Sequence, residues 1–179
     1  LHFSGRQVKR QHVLDLASSI RAEDLEAMLP AEITVKVEVS PVPPIHADPV
    51  QIRQLIAELV SNARDAMPRG GRLTIGVSGV RVEGAVPGAV LQVPAGRYAV
   101  VDVRDTGPGI PKDAIAKVFE PFYSTKREKG RAGLGLAAVY GIVASHQGGI
   151  AIEASPEGGT RVRLFFPCAE GESRSAAAS

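Results

Sequence analysis

The sequence predicts an α/β fold: a mixed β-sheet with helices over one face. Three observations carry this. Residues 32–39 (EITVKVEV) alternate apolar and polar, which puts Ile33, Val35, Val37 and Val39 on one face of a strand. Residues 49–67 and 133–147 place apolar residues at helical spacing. Strand and helix signals interleave along the chain, as they do where helices pack onto a sheet.

Taken in order, residues 15–29 carry Leu16, Ile20, Leu25 and Leu29 near helical spacing, and Pro30 ends the pattern, so one helix is expected there. After the 32–39 strand, Pro41-Val42-Pro43-Pro44 reads as a connector. Asp48 is a candidate N-cap and Pro49 a good first-turn residue for the 49–67 helix. Its stripe is Ile52, Leu55, Ile56, Leu59, Val60, Ala63 and Met67, and Pro68 with Gly70-Gly71 stops it. Strands are expected at 72–82 and 97–104, with a loop or loose hairpin over 83–96 between them. A Gly/Pro turn follows at 106–111, then a short helix at 112–119 and a polar, basic, mobile loop at 123–132. Leu134, Leu136, Ala137, Tyr140, Ile142 and Val143 are the packing candidates of the 133–147 helix, and strands at 149–155 and 160–166 are joined by a turn at 156–159. From Cys168 onward the chain is small and polar and reads as disordered.

Composition narrows the class. The chain has 179 residues with 44% hydrophobic and 22% charged, which suits one globular domain with short tails. Its net charge of +2 argues against a dedicated nucleic-acid binder. A single cysteine excludes an internal disulfide framework and a multi-cysteine zinc site. No apolar run reaches the roughly 20 residues of a membrane span, and residues 1–10 lack the apolar stretch of a signal peptide. No direct membrane contact is expected from this segment, and the expected location is the cytoplasm, as part of either a membrane-bound or a soluble protein. Nineteen Gly and 13 Pro stand against 4% aromatics and no Trp. Such a balance means either many turns or a ligand site built from backbone.

Three places could carry chemistry. Glu58 and Asn62 lie four apart on one helix face, and Asp65 follows near the same edge. A carboxylate and an amide one turn apart can offer oxygens to Mg²⁺, which takes a few protein ligands beside water and phosphate; a solvated helix face explains the same pattern. Asn62 sits among apolar neighbours, where Asn is a poor helix former without a task. Asp105-Thr106-Gly107-Pro108-Gly109 follows a strand directly: the aspartate could accept from an exocyclic amine, and the same residues make ordinary turn chemistry. Gly130-Arg131-Ala132-Gly133-Leu134-Gly135-Leu136 opens a helix among Lys126, Arg127, Lys129 and Arg131. Exposed N–H groups and the helix dipole there favour a phosphate, with a flexible linker as the other reading. No Gly-Lys-Ser/Thr triplet and no dinucleotide fingerprint is present.

Together these motifs, over residues from about 48 to 166, resemble the catalytic, ATP-binding domain of sensor histidine kinases, within the wider family that holds gyrase B, Hsp90 and MutL. ELVSNARDAMP is similar to the family's N box, VRDTGPGI to its first glycine box, VFEPFYSTK to its F box and AGLGLAAVYGIV to its second glycine box. Glu157-Gly158-Gly159-Thr160 resembles its last short motif, and the FYSTK and VYGIV wording is most like the nitrogen-regulation and hybrid kinase branch.

The resemblance implies a Bergerat-type two-layer sandwich with a mobile ATP lid, and ATP with Mg²⁺ as cofactors. It implies that Asn62 binds the metal and that Asp105 binds the adenine amine with support from Thr160, beside Gly107 and Gly109. Phe119 and Phe122 would anchor the lid, Lys126 would reach a phosphate, and Gly133 and Gly135 would hinge the lid. Asp65, Ala66, Ile110, Arg131, Ala132, Leu134 and Leu136 would complete the nucleotide's surroundings. Glu58 stands where many histidine kinases have Asn and could be a general base, as in the hydrolysing relatives. Arg131-Ala132 replace the usual first Gly and Thr of the second glycine box, so Arg131 would either contact phosphate or stiffen the lid.

The histidines, His2, His12, His46 and His146, lack the context of a phosphoacceptor. His146 ends a helix, where a cation would suit the dipole. The expected organisation is therefore the end of a dimerisation helix or linker over 1–14, the ATP-binding domain over 15–167 and a tail over 168–179. The expected function is transfer of the γ-phosphoryl group of ATP to a histidine on a separate dimerisation domain, with a response regulator or receiver domain as the further partner. A hydrolysing ATPase of the gyrase kind, or a docking module that has lost ATP, are the alternatives.

Overall fold

The computed structural model describes residues 11–115, 134–156 and 158–169. In chain order it contains β1 (His12–Leu14), a 3-10 turn (Leu16–Ser19), α1 (Ala22–Ala27), β2 (Ile33–Val39), β3 (Ile45–Ala47), α2 (Pro49–Ala66) and β4 (Gly71–Val82). Then follow β5 (Ala89–Leu91), β6 (Gly96–Asp105), α3 (Lys112–Ile115), α4 (Leu134–Ser145), β7 (Gly149–Ala154) and β8 (Thr160–Pro167). Six strands form one sheet in the order β2-β4-β6-β8-β7-β5, and β1 pairs with β3 in a separate two-stranded ribbon. β2 runs parallel to β4 and the other pairings are antiparallel, so the sheet is mixed as expected.

The core lies between one face of this sheet and α2 and α4. α2 starts where the sequence places it: the Asp48 side chain accepts the Val50 N–H at 2.9 Å and Pro49 occupies the first turn. Its stripe from Ile52 to Ala63 meets the inward rows of the sheet, Leu73, Ile75 and Val77 on β4, Ala99, Val101 and Val103 on β6, and Val162, Leu164 and Phe166 on β8. Val139, Ile142 and Val143 of α4 close the same core. α4 ends in a left-handed Gln147 (φ 54°), where the Gly148 N–H reaches back to the Val143 carbonyl at 2.9 Å and Gln147 N–H to that of Ala144 at 3.1 Å.

The outward face has two zones. Tyr98, Val100, Phe165, Ala151, Val82 and Val93 make a satellite apolar cluster, with the Tyr98 and Phe165 rings edge to face at 5.8 Å. Tyr98 donates its hydroxyl to the Pro94 carbonyl at 2.5 Å, and burial raises its phenol above the ordinary value. Beside this cluster runs a charged ladder. Asp102 takes Arg161 at 2.6 Å, Glu38 takes Arg104 at 2.9 Å and Lys36 at 3.2 Å, and Glu153 takes Arg163 at 3.3 Å.

Four expectations need correction. The single helix over 15–29 is two short pieces, because Asp15 accepts the Ala17 N–H at 3.0 Å and the Ser18 hydroxyl donates to the Asp15 carbonyl at 2.8 Å, closing a local turn after which Ile20 is extended. Leu16, Ile20 and Leu25 nevertheless reach the core. The 83–96 loop contains β5, which pairs with β7 at the sheet edge. Residues 12–14, read as linker, form β1 against β3. Cys168 and Ala169, read as tail, are tied in: Cys168 bridges to Ile45, its N–H reaches the Arg97 carbonyl at 3.1 Å, and Ala169 is buried with its N–H on the Pro44 carbonyl at 2.9 Å.

Candidate functional site

From Ala99 to Val103 the inward row of β6 is apolar and it ends on Asp105, and the inward row of β8 is apolar after its first residue, Thr160. Their antiparallel pairing brings these two ends together. Asp105 Oδ1 accepts the Gly107 N–H at 2.9 Å and the Thr160 N–H at 3.3 Å, which fixes the carboxylate against both its own turn and the neighbouring strand. Thr160 itself is buried. The approach admits no side chain: at Gly159 (φ 78°) a Cβ would collide with the Asp105 main-chain oxygen and lie 2.7 Å from Oδ1. At Gly107 a Cβ would lie 2.8 Å from the Ala66 carbonyl oxygen, so the turn after β6 is pressed against the C-terminal end of α2.

That contact brings α2 into the site. Glu58, Asn62 and Ala66 are spaced i, i+4, i+8 and share one stripe of the helix, whose last member touches Gly107. Glu58, Asn62, Asp65 and Ala66 are all half-buried. Asp65 lies 3.6 Å from the Arg64 guanidinium. The Asn62 amide nitrogen is buried with no hydrogen-bond partner among the described residues, an arrangement that normally costs about 1–3 kcal/mol unless something else meets the amide. Hard oxygen donors on one stripe suit Mg²⁺. Mg²⁺ takes only a few protein oxygens beside phosphate and water, and two donors one turn apart are enough for that.

The remaining expected residues divide in two. Gly109 follows the same turn with φ 81°, next to Gly159, and Ile110 packs against the main core. Leu134 and Gly135 open α4, and Leu136, the third residue of the helix, packs against the core. Phe119, Phe122, Lys126, Arg131, Ala132 and Gly133, with the lid expected from them, lie outside the described residues.

Two features escaped the sequence reading. Thr106 Oγ1 accepts the Arg72 N–H at 3.0 Å and lies 3.5 Å from Met67 Sδ, tying the Asp105 turn to β4 and to the end of α2. The second is at the far end of α2. His146 is buried, with Nδ1 2.7 Å from the Ile142 carbonyl and Nε2 3.3 Å from the Asp48 N–H. A carbonyl can only accept, so Nδ1 carries the proton and Nε2 accepts from Asp48: the ring is neutral and joins α4 to the cap of α2, not a cation at a helix end.

Similarity to known proteins identifies the family. Residues 47–170 match the family described as histidine kinase-, DNA gyrase B- and HSP90-like ATPase. The chain is 37% identical over 172 residues to the sensor kinase CckA of Brucella abortus, covering 93% of this chain and 18% of that protein. It is 36% identical over 124 residues to sporulation kinase A of Bacillus subtilis, covering 69% of this chain and 18% of that one. Among solved structures, the mycobacterial sensor histidine kinase MprB superimposes with a TM-score of 0.67 at 25% identity, covering 88% of this chain and 97% of that one. Full-length ShkA in complex with AMPPNP gives 0.67 at 27% identity, covering 89% of this chain and 32% of that one. The chain thus spans less than a fifth of the curated relatives, 18% of each named above. Among the described residues no helix is long and apolar enough to cross a membrane. The chain belongs to the histidine kinase-, DNA gyrase B- and HSP90-like ATPase family, as an ATP-binding catalytic domain of the sensor histidine kinase type.

Proposed function

We propose that this domain binds Mg-ATP and donates the γ-phosphoryl group to a histidine on a dimerisation domain beyond this sequence. A response regulator or receiver domain would take the phosphoryl group onward, in the cytoplasm. The observation that carries the reading is the Asp105 carboxylate, fixed by two backbone N–H groups and set against the end of the helix that bears Asn62. In this reading Asp105 accepts the adenine amine, Thr160 and Gly107 orient it, and Gly109 and Ile110 shape the pocket beside it. Asn62 holds the metal, with Asp65 and Ala66 next to it on the same end of α2. Lys126 and Arg131 neutralise phosphate, and Ala132, Gly133, Leu134, Gly135 and Leu136 present N–H groups at the start of α4. Phe119 and Phe122 anchor the lid.

Mg²⁺ would supply charge neutralisation across the phosphates, the main electrostatic need of phosphoryl transfer. The protein's own part is positioning: it fixes the base through Asp105 and leaves the transferred group to be aligned with an incoming imidazole. His146 is buried and bonded on both ring nitrogens, which does not suit an acceptor, and this reading assigns that role to a histidine of the dimerisation domain. Calorimetric titration with Mg-ATP and with ATP plus chelator tests binding, and transfer of labelled γ-phosphate to a supplied dimerisation domain tests the reaction. Transfer without measurable binding, or binding with no transfer to any cognate acceptor, overturns it. Glu58 supports hydrolysis as a second reading, since it places a carboxylate one turn before Asn62. Substantial phosphate release that disappears in Glu58→Ala would favour that reading.

A further inference from the structure

Asp105 is oriented by two N–H donors, but the turn that carries it needs an anchor of its own. β6 alternates faces, so Asp105 ends the inward row, and Thr106 begins the turn that follows it. There its hydroxyl accepts the Arg72 N–H at 3.0 Å, and its remaining proton faces Met67 Sδ at 3.5 Å. One side chain therefore joins the start of β4, the cap of α2 and the Asp105 turn. Gly71 leaves room for this junction: a Cβ there would lie 2.6 Å from Thr106 Oγ1 and 2.6 Å from Met67 Sδ. An open cleft of about 340 Å³, lined by Thr34, Gly71, Arg72 and Thr106, lies over the junction. A change in the hydroxyl is thus made at a surface, and no cavity opens in the core.

We propose that Thr106 is a positioning residue for adenine recognition: its hydroxyl holds the Asp105 turn so that the carboxylate meets the exocyclic amine of the base. The proposal rests on the reading of Asp105 as the adenine contact. It extends that reading to specificity, because a carboxylate favours the amine of adenine and opposes the carbonyl that guanine presents at the same place. Loosening the turn weakens ATP and relieves the penalty on GTP, so the ratio of the two affinities narrows.

The test is displacement of a fluorescent ATP analogue by ATP and by GTP, with Mg²⁺, from the wild type, Thr106→Val, Thr106→Ser and the same variants in an Asp105→Ala background. Thr106→Val is expected to weaken ATP by about 3- to 10-fold, the size of one neutral hydrogen bond, and to narrow the ATP/GTP ratio by a similar factor. Thr106→Ser, which keeps the hydroxyl, restores both. In Asp105→Ala the Thr106→Val change has no further effect on the ratio. An unchanged ratio in Thr106→Val, or a loss shared equally by ATP and GTP, overturns the proposal, as does failure of Thr106→Ser to restore the ratio while it restores the melting temperature. Absence of nucleotide binding by the wild type would instead overturn the proposed function, so the two failures are distinct.

Discussion

The inward and outward faces of the sheet share one backbone ladder and differ in almost every side chain. On β6 the inward row Ala99, Val101, Val103 is apolar and ends on Asp105, while the outward row passes from Tyr98 and Val100 to Asp102 and Arg104. On β8 the inward row begins at Thr160 and continues through Val162, Leu164 and Phe166, while the outward row is Arg161, Arg163 and Phe165. Inward polarity next to the helices is gathered at the end where Asp105 and Thr160 meet, and Arg81 and Arg97 lie exposed at the opposite end of the same rows; outward polarity spreads along the strands and is compensated in place by opposite charges. The inward face therefore supplies the stability and, at its end, the site. The outward face supplies charge pairs that face water and contribute little each.

Substitutions test this division. Leu164→Ala removes a fully buried inward side chain and is expected to cost about 2–5 kcal/mol in chemical denaturation. Asp105→Ala, at the end of the equivalent row, is expected to do the reverse: a drop in ATP affinity of about 10- to 100-fold by calorimetry, for a lost hydrogen bond to a charged acceptor, with a much smaller stability loss. Undiminished ATP affinity in that variant would remove Asp105 from the site. On the outward face Asp102→Asn weakens the pairs to Arg161 and Arg104, whose side chains are 32% and 25% exposed, and is expected to cost about 1 kcal/mol. A loss as large as that of Leu164→Ala would mean that the ladder belongs to the core.

The sequence was legible where a signal is local and long. Asp48-Pro49 and the stripe from Ile52 to Met67 announce α2 without help, and β4, β6 and β8 read correctly to within a residue or two. Short elements that exist only through distant partners were not legible. β1 and β3 have three residues each and pair across more than 30 positions, and β5 gains its strand character from β7. The region 15–29 misled because Asp15 and Ser18 close a turn within an apolar pattern that also fits a helix. At the site, Asp105 and Gly107 stood out as turn residues, whereas the Asp105–Thr160 contact spans 55 positions and was reached through the resemblance to a family. Thr106 gave no signal of its own, and Gly70-Gly71 read as a helix stop, whereas the structure shows that Gly71 leaves room for the Thr106 hydroxyl. The same holds for Asp48 and His146, each read as a helix end and joined only in three dimensions.

The smallest expected effect lies at the outer margin of the ladder. The Lys36 ammonium, first by hydrogen bond and then by charge, and the Arg104 guanidinium hold the Glu38 carboxyl below its ordinary 4.5. A depressed folded value means that the unfolded chain takes up the proton first on acidification. The contribution of Glu38 is therefore complete above 4.5 and is lost as pH falls through the lower folded value. Glu38→Gln removes that contribution, so its melting temperature should lie slightly below the wild type near pH 7 and converge with it in acid. High salt should shrink the difference at neutral pH, because the group is exposed and screened. A gap that widens on acidification, or that survives 1 M salt within the roughly 3 Å screening length reached there, would show that Glu38 acts through packing on the edge strand β2. The outward face would then share the character of the inward one at its margin as well as at its satellite cluster.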